Sequence, residues 1–214
     1  MKYVIRISLA AAILIFLQKT AQAADAERES LPQLIAGIND KYAQKRCNSL
    51  ECLIVSCGPL CEDEKLKRVN DFFNQIPYES DIRNWGVDDY WAAPLETLIK
   101  GRGDCEDYAI AKFCTLVKLG IPQEKIYLTY VKIAERKEPH FVVTYYESDE
   151  AVPRVLDNRK HEILTVQPGN VFEIVYRFNL KEFISHRGTQ QMRQPLETVR
   201  FRKWKELSRR LRLI

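Results

Sequence analysis

Apolar residues recur at helical spacing through the first half of the chain and at alternate positions through much of the second. Leu34, Ile35, Ile38 and Tyr42 predict a helix over residues 31–44. Leu66, Val69, Phe72 and Phe73 stripe a second over 62–75, which Pro77 ends. Leu95, Leu98 and Ile99 mark a short helix over 94–100. Another apolar stripe runs over 108–119, opens at Asp104-Cys105 and stops at Gly120-Ile121-Pro122. A loop rich in Asp and Trp fills 78–93. The period then drops to two. Residues 125–133, 140–146, 154–156 and 171–178 read as strands. Helices first and strands after predict an α+β fold, with a helix packed on an antiparallel sheet.

The first residues carry a different pattern. Lys2 and Arg6 precede an apolar run from Ile7 to Leu17, and Ala21-Gln22-Ala23 follows. The run is about 11 residues, short of the roughly 20 that span a bilayer. It reads as a signal peptide, 1–23, cleaved after Ala23, against the alternative of an uncleaved anchor. The exported remainder, 24–214, is expected to be one domain in the periplasm. The chain of 214 residues holds 33 basic and 29 acidic residues. The leader takes Lys2, Arg6 and Lys19 with it, which leaves near neutrality. A nucleic-acid-binding role is thereby disfavoured. The basic excess is local to 192–214, where Val199, Trp204, Leu207 and Leu211 could dock a helix. Its basic face is either solvated or a peripheral contact with an anionic membrane.

Six cysteines are present. Cys47, Cys52, Cys57 and Cys61 cluster in a predicted loop. In an exported chain they suggest two short-range disulfides, with three possible pairings. A zinc site lacks its usual Cys-x2-Cys knuckles here, and free thiols are the third reading. Cys114 falls on the apolar side of its helix, as a small core residue does.

Cys105 is different. It follows Gly101-Arg102-Gly103-Asp104, at the first turn of a predicted helix, with Asp104 as N-cap. Unpaired amide N–H groups and the helix dipole favour a thiolate there. A thiol nucleophile also needs a base and something to orient that base. His140 opens a predicted strand and would be held rigidly, unlike His161 and His186 in polar segments. Asp157 ends the next strand, where it could hold the far nitrogen of His140 or merely form a turn. Asp104, Glu106 and Asp107 surround the cysteine. Their mutual repulsion would raise the thiol pKa, and a hard, oxygen-seeking cation would relieve it. Alternatively they only complement the helix dipole.

The run Asp-Tyr-Trp-Ala-Ala-Pro-Leu-Glu at 89–96 and the run Gly-Asp-Cys-Glu-Asp-Tyr-Ala-Ile-Ala-Lys at 103–112 resemble the bacterial transglutaminase-like cysteine proteinases. So do Leu-Thr-Tyr-Val-Lys at 128–132, His140 and Val-Leu-Asp-Asn at 155–158. The likeness covers 62–180 and is nearest to the periplasmic proteases of that family. The cysteine cluster in 24–61 and the basic segment 181–214 lie outside it. The resemblance implies a papain-like arrangement in a transglutaminase-like fold, with Cys105, His140 and Asp157 catalytic. It implies Ca2+ held by acids among Asp104, Glu106 and Asp107. It also implies a substrate, the N-terminal region of a large exported adhesin cut at an Ala-Ala site. Release of that adhesin would control biofilm attachment. An inner-membrane LapD-like receptor, read out by cyclic-di-GMP, would act as inhibitor. A transglutaminase or amidase would use the same triad with an acceptor other than water. Trp91 could donate to an oxyanion beside the Cys105 N–H, or serve as a groove or core aromatic.

Overall fold

The computed structural model describes residues 36–133, 138–166, 171–187, 190–196 and 202–211. The proposed leader 1–23, Leu34, Ile35 and Val199 lie outside the described residues. Among those described, no helix is long and apolar enough to cross a membrane. Among the described residues six helices and seven strands follow one another: α1 Lys41–Cys57, α2 Glu62–Phe73, α3 Asp81–Asn84, α4 Pro94–Lys100, α5 Cys105–Lys118, β1 Ile126–Ile133, β2 Pro139–Tyr145, β3 Arg154–Leu156, β4 Leu164–Thr165, β5 Phe172–Phe178, β6 Glu182–Arg187, β7 Gln190–Pro195 and α6 Arg202–Arg210. The strands form one antiparallel sheet in the order β4-β3-β2-β1-β5-β6-β7.

The α+β reading holds. α5 lies against β1 and β2 and is the spine of the molecule. Its Tyr108, Ala109, Ile110, Ala111, Phe113 and Leu116 are buried with Phe141, Val143 and Tyr145 of β2. Odd-numbered residues of β2 thus face the helix. Val142 joins Val131, Val155 and Phe172 in a separate apolar cluster, as the strand's two-residue alternation requires. Cys114 is half-buried and packs on the main core, as expected. Gly120, at φ 82°, ends the segment after α5 in the left-handed region that glycine adopts at little cost.

The N-terminal part departs from expectation. The cysteine cluster is not a stapled loop: Cys47, Cys52 and Cys57 all lie on α1, which starts at an Asp40 N-cap that accepts from Tyr42 N–H at 2.7 Å. At about 1.5 Å of rise per residue, five positions separate neighbouring thiols by roughly 7.5 Å along the axis. Rotation turns them apart as well, so no two of these three can bridge. All six thiols are free. Cys47 and Cys57 are core residues beside Leu50, whereas Cys52 and Cys61 are exposed. None belongs to a group of ligand atoms close enough to share a metal among the described residues. Tyr42, expected inward, is 64% exposed.

The C-terminal part also differs. Residues 182–195 add two strands, β6 and β7, to the sheet, so the sheet continues past the predicted core limit of 180. The helix expected beyond them is α6, and its Trp204 and Leu207 are buried as the stripe predicted.

Candidate active site

Two connections deliver Cys105 to the sheet. α4 ends at Gly101, which is left-handed at φ 70°. Its last carbonyls, of Leu98 and Ile99, accept from Arg46 of α1 at 2.6 and 2.8 Å. A Cβ at Gly101 would lie 2.8 Å from the Arg46 guanidinium carbon, so the glycine allows this cap. The chain then pairs Gly103 with Tyr78 in a short parallel bridge. A Cβ at Gly103 would lie 2.8 Å from Asp107 Oδ2, so here too a side chain is excluded. Both glycines thus permit close contacts on the approach to the helix.

Cys105 opens α5 as expected and is half-buried. Its thiol donates to Glu106 Oε2 at 2.9 Å. Burial, and then the Glu106 carboxylate, push its pKa up, against a pull downward from the Phe141 N–H. The helix N-terminus alone therefore does not ionise this thiol. The Phe141 contact ties the sulfur to the residue next to His140. One cavity of about 230 Å³ is lined by both Cys105 and His140, with Asp89, Trp91, Glu106, Tyr130, Phe141 and Tyr176 around them.

His140 sits near the start of β2 and is 5% exposed. The antiparallel register Val143–Leu156 carries the chain after β3 back toward that start. Asp157 Oδ1 lies 2.9 Å from His140 Nε2. That leaves Nδ1 as the ring nitrogen able to exchange a proton with the thiol. Burial alone would raise the Asp157 pKa. Hydrogen bonds from His140 and Arg159 win, and they hold the carboxyl below the usual carboxylate range. Arg159, absent from the sequence reading, donates to both Asp157 oxygens, with Nη2 to Oδ2 at 2.7 Å. Asn74, the C-cap of α2, fixes the same loop by donating to the carbonyls of Asp157 and Lys160. His161 and His186 are not among the residues that line the cavity.

The acids divide into two sets. Asp104 and Asp107 meet Asp81 of α3, while Glu106 turns toward Asp89 and Asp81. Within each set the ligand atoms lie within 4.8 Å of one another. Asp104 occupies the N-cap position, yet its side chain makes no capping bond. Instead Asp81 Oδ1, Asp104 Oδ1 and Asp107 Oδ2 are buried with no hydrogen-bond partner. Burial, then the charges of Glu106, Asp107 and Asp81, push Asp104 up to about 9. Burial pushes Asp107 up to about 8 even though the Ala92 N–H donates to it at 2.8 Å. Asp81 is raised as well, by burial first. Buried, unpartnered carboxylate oxygens converging from three points of the chain suit a hard cation with oxygen ligands. Asp81 carried no local signal: only tertiary approach sets it beside the Asp-Cys-Glu-Asp run.

Trp91 lines the cavity and is 6% exposed. Its ring packs edge-on to Phe141 at 5.2 Å and parallel to Phe178 at 6.3 Å, which makes it a core aromatic as well as a wall.

No match was found among curated proteins. Three solved structures of LapG from Legionella pneumophila are similar. The EGTA-treated form is 30% identical over 84% of this chain and 95% of its own, with a TM-score of 0.75. The calcium-bound form is 30% identical over 85% and 97%, with a TM-score of 0.73. A third is 31% identical over 84% and 94%, with a TM-score of 0.72. Residues 57–181 match the family model described as bacterial transglutaminase-like cysteine proteinase. With Cys105 and His140 lining one cavity on this fold, the chain is a cysteine peptidase and belongs to the bacterial transglutaminase-like cysteine proteinase family.

Proposed function

We propose that this protein is a calcium-dependent, LapG-type endopeptidase of the periplasm that cuts the N-terminal region of a large exported adhesin at an Ala-Ala site. Release of the adhesin would end surface attachment, and an inner-membrane LapD-like receptor would restrain the enzyme. The observation that carries the reading is the shared cavity of Cys105 and His140, with His140 held by Asp157 at 2.9 Å. The likeness to LapG supports the substrate class, and the leader-like segment 1–23 supports the address.

The mechanism follows from the residues. His140 Nδ1 takes the proton of Cys105, and the thiolate attacks the scissile carbonyl carbon. The resulting oxyanion is met by the Cys105 backbone N–H. As the tetrahedral adduct collapses, the carbon–nitrogen bond breaks and His140 returns the proton to the leaving amine. An acyl thioester remains. His140 then deprotonates a water, which attacks the thioester and releases the acid and the thiol. Asp157 stays ionised throughout, keeps the ring oriented and stabilises the imidazolium. Its second oxygen is held by Arg159, so the carboxylate cannot rotate away.

Asp81, Asp104 and Asp107 would hold calcium, with Glu106 and Asp89 close by. When bound, the ion supplies positive charge next to the nucleophile and offsets the carboxylates that keep the thiol protonated. The LapG structures include a calcium-bound form, which supports calcium as the ion.

Replacing Cys105 with Ala should abolish cleavage of an Ala-Ala-containing adhesin fragment and leave the melting temperature within a few degrees. Mass spectrometry of the products reads both bond scission and any acyl-transfer adduct. Cleavage that persists in Cys105→Ala would remove the nucleophile assignment. An adduct with an added amine in place of hydrolysis would move the chain to the acyl transferases. Full turnover of the unaltered protein in excess chelator would remove the calcium requirement.

A further inference from the structure

The basic C-terminal helix lies beyond the region matched by the family model, which ends at residue 181. Nothing in the triad uses it. Yet its two ends reach into the wall of the catalytic cavity. Lys203 Nζ pairs with Asp89 Oδ2 at 3.0 Å and also donates to the Asp89 carbonyl. Arg210 donates from Nη1 to Glu96 Oε2 and Tyr90 Oη, each at 2.6 Å, and from Nη2 to the Trp91 carbonyl at 2.7 Å. Its guanidinium stacks over the Tyr90 ring at 4.5 Å. The helix itself is nailed down by Trp204, whose ring meets Phe178 at 5.2 Å and Phe113 at 6.4 Å.

Asp89 and Trp91 line the cavity of Cys105 and His140. The other side of the same strand of chain is held by acids. Asp81 accepts from Tyr90 N–H at 2.5 Å, and Asp107 accepts from Ala92 N–H at 2.8 Å. So residues 89, 90, 91 and 92 are gripped in turn by α6 and by the acidic cluster. Hydrogen bonds to charged groups are the stronger kind, and Arg210 makes three with a single planar fork. We infer that α6 is a positioning element of the peptidase, in which Arg210 and Lys203 fix the Asp89–Trp91 wall that substrate packs against. This rests on the peptidase reading above.

The consequence is a division of labour. The nucleophile and its base stand on α5 and β2 and do not touch α6. Loosening the wall should therefore impair substrate placement and leave the thiol's own chemistry in place. A displacement of about 1 Å at such a wall can cost on the order of a hundredfold in rate.

The test compares Arg210→Ala, Arg210→Lys and Lys203→Met with the unaltered protein, all in calcium and well below their melting temperatures. Steady-state cleavage of a fluorogenic peptide with a central Ala-Ala pair gives KM and kcat. The iodoacetamide alkylation rate at Cys105, located by peptide mass spectrometry, reads the nucleophile without a peptide substrate. Arg210→Ala should raise KM roughly tenfold, the scale of a lost charged contact, with alkylation within about twofold. Arg210→Lys should recover part of the loss, and Lys203→Met should lose less. Unchanged KM in a folded Arg210→Ala protein would overturn the inference. So would parallel losses of cleavage and alkylation, which mark a purely structural role. A second arm measures binding of the same peptide, fluorescently labelled, in the Cys105→Ala background. Absence of turnover by the unaltered protein would sink the peptidase reading by itself. The α6 inference would then fall only if Arg210→Ala leaves the Kd of that binding unchanged.

Discussion

Lys112 sits in the middle of α5, on the same helix as the nucleophile, and none of its surface is exposed. Its ammonium donates to Asn70 Oδ1 at 2.8 Å, and Asn70 in turn donates to the His161 carbonyl at 3.0 Å. This chain of contacts braces the loop that begins at Asp157. Burial pulls the Lys112 pKa down to about 7, with the Asp157 and Asp71 charges opposing. The unfolded chain keeps a lysine near its ordinary value of about 10.4. Between these two values the unfolded state binds more protons at this lysine than the folded one, so the stability this group contributes rises with pH. It is fully present above the unfolded value and is lost as pH falls through the folded one. The slope approaches about 1.4 kcal/mol per pH unit, or up to about 3 kcal/mol from pH 7.5 to 10. Lys112→Met should flatten that rise. Urea unfolding at pH 7.5, 8.5 and 9.5 checks it, and parallel curves for the two proteins would refute it.

At the level of elements, α1 offers the sharpest contrast between pattern and outcome. Native-state alkylation should modify Cys52 and Cys61 within minutes and spare Cys47 and Cys57 until denaturant is added. Peptide mass spectrometry of the labelled protein decides it, and protection of Cys52 and Cys61 that needs a reductant to lift would restore the stapled loop. The sequence misleads here because a buried cysteine behaves as a small hydrophobe, and clustering hid that role. Cys47, Leu50 and Cys57 are core residues of one helix. Elsewhere the apolar rhythm was legible. The stripes of α2 and α5 and the alternation of β1 and β2 are strong enough to place them within a few residues. β6 and β7 escaped because Gln190, Gln191 and Arg193 face solvent on an outer strand, where neither side must be apolar. The nucleophile, base and acid were readable because each stands at an element boundary with a local signature. Arg159 and Asp81 were not. Arg159 lies in a turn and looks like any surface arginine, and Asp81 reaches the site through tertiary contacts such as the Tyr78–Gly103 bridge.

Across the whole molecule, the acidic centre joins three segments of the chain, which the Tyr78–Gly103 bridge and Asn84 Nδ2 donating to the Arg102 carbonyl at 3.2 Å also tie together. Asp81 belongs to α3, Asp104 ends the loop after α4, and Asp107 is in the first turn of α5. Their buried oxygens without partners weaken the fold as long as no cation answers them. A divalent ion bound only by the folded state stabilises it by mass action, about 2.7 kcal/mol at a hundredfold excess over its Kd. For a chain of this size that corresponds to a rise in Tm of roughly 5–10 °C. Calcium should produce this rise relative to excess EGTA. Magnesium should do less, because it demands a tighter octahedron and sheds water reluctantly. Asp81→Asn separates the two contributions. It keeps the shape of the site, and it removes a ligand together with a carboxyl whose charged form burial disfavours. The variant should therefore melt at or above the unaltered protein in EGTA, yet gain less than half as much from calcium. Differential scanning calorimetry in EGTA, calcium and magnesium reads all three terms. A calcium response in Asp81→Asn equal to that of the unaltered protein would remove Asp81 from the site and leave the ion to Asp104, Glu106 and Asp107 alone.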